Sequence, residues 1–120
     1  KRLESTGVDL KNTTTYAAET YDGIILAALA AQKGGSADGK TIQANMAAVS
    51  GADGGEKCDS YKACLALLKD GKDIQYQGQT GIGPFNKNND PSSANIGVYT
   101  FDGDNKPVFD HTQSGDVPTD

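Results

Sequence analysis

Apolar positions are spaced as in helices in three stretches between about Thr14 and Lys69 and as in extended chain beyond Gly71. The strongest pattern is TYAAETYDGIILAALAAQKGG, which predicts a helix beginning at a Thr14 or Thr15 cap and stopping at Gly34-Gly35, with Lys33 at the negative end of its dipole. Tyr21, Ile24, Ile25, Ala28 and Leu29 form one stripe. Leu26, Ala27, Ala30 and Ala31 make the second half apolar on nearly every side, so this helix requires cover on more than one face. Asp38 can cap a second helix reaching Ser50, with Ile42, Met46 and Val49 inward. That narrow stripe predicts a peripheral helix. GADGGEK reads as a flexible surface loop. A third helix is expected from about Ser60 to Lys69, with Tyr61, Cys64, Leu65 and Leu68 inward and Asp70-Gly71 as its stop.

Beyond Gly71 the glycines and prolines of KDIQYQGQTGIGPFNKNNDPSSA forbid a long helix and predict a loop held by Ile74, Tyr76, Ile82 and Phe85. ANIGVYTF reads as a strand covered on both faces. After a turn at Asp102-Gly103-Asp104-Asn105, Pro107-Val108-Phe109 can return as an edge strand. Residues 1–13 are a polar lead-in or crossover segment, and 110–120 a frayed tail. Three helices with one clear strand lack the sheet such helices normally cover. The chain is therefore expected to be part of a larger α/β protein or to pack on a partner; a compact helical domain with a small hairpin is the competing account. The opening KRLESTGVDLKN, without an initiator methionine, suits an internal fragment.

Composition narrows the function more than it identifies it. A chain of 120 residues with net charge −5 and scattered lysines has no basic stripe, which argues against nucleic acid or anionic membrane as a partner. The apolar run from Ile24 to Ala31 is too short to cross a bilayer, and no signal peptide is visible. The two cysteines, Cys58 and Cys64, are spaced C-x5-C and cannot be bridged from successive turns of one helix. A disulfide would place one of them before the third helix, capped by Asp59 or Ser60, and would point to a compartment outside the reducing cytoplasm. Two free buried thiols are the alternative. Zinc lacks a ligand set, since His111 is the only histidine.

No catalytic constellation emerges, so the chain is not expected to be an enzyme, and neither a metal nor a cofactor is expected. His111 lies in a polar stretch, without the serine and carboxylate of a triad. Glu19 and Asp22, one turn apart, read as early-turn charges favoured by the helix dipole. Asp102-x-Asp104 lacks an EF-hand loop, Asn86 to Asp90 reads as an exposed turn, and the glycines at 78–83 match neither GxxxxGK nor GxGxxG. Tyr16 and Tyr21, at the entry to the first helix, are candidates for contacting a carboxylate there, against a plain packing role.

Three segments taken in order carry a resemblance. YAAETYDGIILAALAAQKGGSADGKTI resembles the helix, glycine break and next helix near the end of type I periplasmic solute-binding proteins, close to those for branched-chain amino acids. GEKCDSYKACLALLKDGKDIQYQGQTGIGPFNKNNDP is similar to a cysteine-paired insertion and the segment after it in relatives from Gram-positive, high-GC bacteria, and ANIGVYTF to the late strand that follows. The likeness spans residues 14 to about 109. TYDG at 20–23 joined to GKDIQYQGQTG at 71–81 is its most specific part; the cysteine loop is its departure from the commoner pattern.

The resemblance implies an α/β fold, the C-terminal part of one lobe of a bilobal protein. That protein would close over a small polar solute, an amino acid or a small amide, and deliver it to an ABC permease. A ligand-binding sensory receptor ectodomain of the same bilobal fold, or a non-catalytic structural fragment, is the alternative. Residues 14–109 would supply the lobe portion and the remaining N-terminal part of the parent chain the rest. The location implied is extracytoplasmic, secreted or lipid-anchored at the outer face of the cell membrane. Under this resemblance Tyr16 sits at the cleft rim or hinge and contacts ligand, while Tyr21 and Asp22 are structural anchors at the helix start.

Overall fold

The computed structural model describes residues 4–7, 16–81 and 83–116. The expected caps Thr14 and Thr15, the loop anchor Ile82 and most of the 1–13 lead-in lie outside the described residues; within that lead-in, Glu4–Thr6 form a single 3-10 turn. Three α-helices follow: α1 (Ala17–Gly34), α2 (Gly39–Ser50) and α3 (Tyr61–Lys69). Two parallel strands, β1 (Glu56–Cys58) and β2 (Ile74–Tyr76), flank α3, and an antiparallel hairpin of β3 (Ser93–Phe101) and β4 (Pro107–Asp116) closes the chain. The architecture is mixed α/β, with two small two-stranded sheets among the described residues.

The helix boundaries follow from their capping residues. Asp38 accepts hydrogen bonds from the backbone N–H groups of Lys40 and Thr41, both at 3.0 Å, and so satisfies donors that the first turn of α2 leaves without intrahelical partners. Ser60 does the same for Ala63 at the start of α3, and Gly35 ends α1 in the left-handed conformation. The start of α1 differs from expectation. Its first flanking residue is Tyr16, at φ 59° and ψ 8°, with no side-chain cap.

The core is small and continuous: Leu26, Leu29 and Ala30 of α1, Val49 of α2, Cys64 of α3, and Cys58, Ile74 and Tyr76 of the parallel strands. Ile42, Met46, Leu67, Leu68 and Phe85 pack around it. The inward face of α1 is therefore the one carrying Asp22, Leu26 and Leu29, and Ile24, placed inward by the apolar stripe, is 64% exposed. On a helix apolar nearly all round, hydrophobicity cannot select the buried side; tertiary contacts with α2 and α3 do. Val49 is fully buried, so α2 is less peripheral than its narrow stripe suggested.

The chain between Gly51 and Tyr76 forms a compact β-α-β unit rather than two loops around a helix. Cys58 pairs with Tyr76 and Glu56 with Ile74, while α3 makes the crossover that parallel strands require. Each strand has three residues, too few to show alternation against a background of glycine and lysine. Gly55 lets β1 approach β2: it sits at φ 121°, and a Cβ there would lie 2.7 Å from backbone atoms of Asp73 and Ile74. Disulfide Cys58–Cys64, with a Cα–Cα distance of 5.3 Å, ties the end of β1 to the first turns of α3.

The hairpin departs furthest from expectation. β3 was expected to be covered on both faces; instead Ile96, Tyr99 and Phe101 are exposed. Residues 110–116, expected as a frayed tail, are the second part of β4, whose exposed polar sequence lacks a buried face from which a strand could be read. Pairing runs from Ser93 opposite Asp116 to Phe101 opposite Pro107, with one irregularity that leaves Asp110 as an extra residue on β4.

Candidate functional site

The most structured polar site lies where α1 meets the glycine-rich chain after β2. Asp22 projects from the buried face of α1 and is only 4% exposed. Its Oδ1 accepts a 2.8 Å hydrogen bond from the Tyr76 hydroxyl, and its Oδ2 a 3.0 Å bond from the backbone N–H of Thr80. Gly78 lies between these donors, and a Cβ at that position would overlap the Asp22 carboxylate. The GQTG turn can close over the acid only because a glycine occupies this point. Asp22 is the sixth residue of α1, beyond the first turn in which dipole stabilisation is strong. Its role is therefore a specific clasp rather than the early-turn charge expected from spacing.

Two further hydroxyls, one buried (Ser50) and one half-buried (Ser93), extend the clasp. The Ser50 Oγ at the end of α2 donates to the Ala47 carbonyl at 2.6 Å and accepts from the Phe85 N–H at 2.8 Å. The Gly83 N–H donates to Ser93 Oγ at 3.1 Å. Thr80, Gly83 and Phe85 thus attach to α1, the start of β3 and α2 through one acid and two serines. The Asn86 side chain accepts from the N–H groups of Asn88 and Asp90, which makes the expected turn, and Asn89 donates to the Gln43 carbonyl of α2.

Beneath this chain lies a cavity of about 70 Å³ lined in part by Asp22, Leu26, Ser50, Tyr76 and Phe85. Ligand pockets for drug-sized molecules run to roughly 300–1,000 Å³, and one liquid water takes about 30 Å³. The cavity is of a size for water and not for an amino acid. A shallow hollow of about 230 Å³ between the ends of α1 and α3 is lined by Lys33, Lys69, Lys72 and Asp73. Two of its lysines are already engaged: Lys33 bonds Asp73 and holds that carboxyl below its usual range, while Lys72 bonds Glu56, which raises the lysine pKa.

The other candidates from the sequence are dispersed. Tyr16 is 73% exposed at the entry of α1 and does not join the clasp. Tyr21 is half-buried, next to Asp22 in sequence but one helical position round from it. Glu19 is one of the residues lining the small cavity. His111 sits on β4 and its Nδ1 lies 3.0 Å from Asp110, both exposed. Asp102 accepts from the N–H groups of Asp104 and Lys106, holding the hairpin turn. Among the described residues no three His, Cys, Asp or Glu side chains converge as a metal site, and no helix is long and apolar enough to cross a membrane.

Tyr76, Gly78, Thr80 and Ser50 were not singled out from the sequence as site residues. Asp22 itself carried the available signal: it lies at i, i+4 and i+7 with Leu26 and Leu29, and a carboxylate on a core-facing row needs donors. Comparison with protein-family models, with curated proteins and with solved structures gives no match for this chain.

Proposed function

We propose that the chain is the C-terminal part of one α/β lobe of a type I solute-binding protein, the extracytoplasmic component of an ABC importer for amino acids or small amides. The observation that carries this reading is the Asp22 clasp. TYDG and GKDIQYQGQTG are the two segments on which the resemblance chiefly rests, and they meet through Asp22, Tyr76, Gly78 and Thr80, with Asp22 lying 54 residues before Tyr76 and 58 before Thr80. A chance likeness in two separate segments gives no reason for their most specific residues to touch.

The parallel sheet supports the same reading. Purely parallel sheets occur with both faces covered and with more strands than the three-residue pair formed by β1 and β2. Sheet material from the rest of a parent lobe would complete it. The disulfide agrees with an oxidising compartment. In this role the described residues do no covalent chemistry. They hold a lobe rigid while ligand contacts from elsewhere in the parent and closure about a hinge select the solute.

The test is calorimetry on the full-length parent against branched-chain and polar amino acids, short amides and urea. Small-angle scattering before and after ligand addition would report closure. Saturable binding with a decrease in radius of gyration is expected. A folded, ligand-stripped parent that binds none of these solutes would overturn the assignment.

A further inference from the structure

The disulfide and the Asp22 clasp lie at the two ends of one short run of contacts. Cys58, the last residue of β1, stands opposite Tyr76, the last residue of β2, and its carbonyl accepts a 2.7 Å hydrogen bond from the Gln77 N–H. Gly78, next in the chain, lies where a Cβ would overlap the Asp22 carboxylate, and that carboxylate accepts from the Tyr76 hydroxyl and the Thr80 N–H. Cys58 thus holds the two residues from which the clasped turn departs.

The two ends of the parallel pair are tethered differently. At its start the Glu56 N–H donates to the Asp73 carbonyl at 2.9 Å, and the Glu56 carboxylate meets Lys72 at 2.8 Å in an exposed ion pair, a weak tether in water. At its end the disulfide fixes β1 to Cys64, which is fully buried on α3, and α3 packs on α1 and on β2. β1 and β2 have three residues each, and two strands alone are marginally stable. The covalent bridge is therefore the firmest hold on the end of β1 that faces Tyr76.

We propose that the Cys58–Cys64 bridge is a redox-sensitive latch for the clasp. With the bridge closed, the end of β1 stays against β2 and the turn at 78–81 stays on α1; with it open, the turn parts from Asp22 while α1 and α2 remain packed. A dithiol reductant opens it: one thiolate attacks a bridge sulfur, the S–S bond breaks, and the second thiol resolves the mixed disulfide. Two electrons and two protons pass to Cys58 and Cys64, and the reductant leaves as a cyclic disulfide. Loop-closure entropy, by contrast, acts on the unfolded chain and shifts every globally exchanging amide together. The latch works inside the native state, so its effect is confined to the residues that follow β2. It concerns the clasp itself and does not depend on solute binding.

Native-state amide hydrogen exchange of the 120-residue chain, read residue by residue by NMR, provides the test. The oxidised chain is compared with the same chain in excess dithiothreitol, its bridge verified as cleaved by thiol count, and with the double variant Cys58→Ala/Cys64→Ala, which needs no reagent to enter the core. Protection at the Thr80 amide should fall by about tenfold more than at Leu29 and Ala30 of α1 in both opened forms, and reoxidation of the wild type should restore it. Thr80 protection that is unchanged, or that falls only in step with Leu29 and Ala30, would overturn the proposal. So would loss of the helical circular dichroism spectrum in the opened forms, because the bridge would then act on the whole fold.

Discussion

Replacing Asp22 tests whether the clasp stabilises the fold or merely occupies it. Two terms oppose each other. Burying a carboxylate costs several kcal/mol of hydration, and that cost disappears in Asp22→Ala. Against it stand two hydrogen bonds to a charged acceptor, each worth about 1.5–3 kcal/mol, one from a Tyr76 hydroxyl that is itself buried. When the acceptor is deleted, the donors stay in place, and breaking one side of a buried polar contact costs more than removing both sides. The donor term should win, with Asp22→Ala destabilising by about 2–3 kcal/mol. Asp22→Asn retains one carbonyl acceptor but turns an amide toward a donor, so its cost should be smaller. Tyr76→Phe should cost about 1.5 kcal/mol, and the double variant should show a coupling of similar size. Urea unfolding followed by far-ultraviolet circular dichroism gives these values. Hydrogen exchange at the Thr80 amide gives the local counterpart, with protection lost in Asp22→Ala. If Asp22→Ala were as stable as wild type, the hydration cost of burying the carboxylate would cancel its bonds, and the clasp could not be what holds the turn at 78–81 on α1.

Reduction of the Cys58–Cys64 bridge should lower stability by about 2 kcal/mol, the loop-closure entropy of a short ring. For a chain of this length that lowers Tm by roughly 8 °C, and calorimetry with the bridge verified as cleaved checks it; an unmoved transition would refute the entropic account. Asp38 gives a pH prediction. The Ser36 hydroxyl and then that of Thr41 hold its carboxyl well below the ordinary 3.8. Because the folded-state value is depressed, the stabilising contribution is complete above pH 3.8 and disappears as pH falls toward the folded value. The start of α2 should therefore fray in strong acid, as read by amide exchange at Lys40 and Thr41. Asp38→Asn, which caps without titrating, should remove that dependence.

The three helices were legible because each carries its own instructions. Asp38 and Ser60 start α2 and α3, Gly35 stops α1, and apolar spacing fills the intervals. The parallel strands were not. Glu56–Cys58 and Ile74–Tyr76 are defined by pairing with one another across α3, and a three-residue strand has no period long enough to recognise. The hairpin was half legible: the alternation of ANIGVYTF announced a strand, but alternation reports which residues share a face and not whether anything covers it.

The clasp lies between these cases, and the reason is physical. Asp22 was expected to be an anchor through a resemblance, while its spacing from Glu19 suggested only a surface charge. Neither considers the row it shares with Leu26 and Leu29, where a buried carboxylate must recruit donors from another element. The available donors are the Tyr76 hydroxyl at the end of β2 and the Thr80 amide two residues past Gly78, and Tyr76 is held in register opposite Cys58 of β1. The acid therefore depends on the β-α-β unit for its partners, and the turn after that unit depends on the acid for its position. If that dependence is mutual, loosening β1 should reach the Thr80 amide without any change at Asp22. Gly55→Ala, which drives a methyl group into the backbone of Asp73 and Ile74, is the perturbation that would do so.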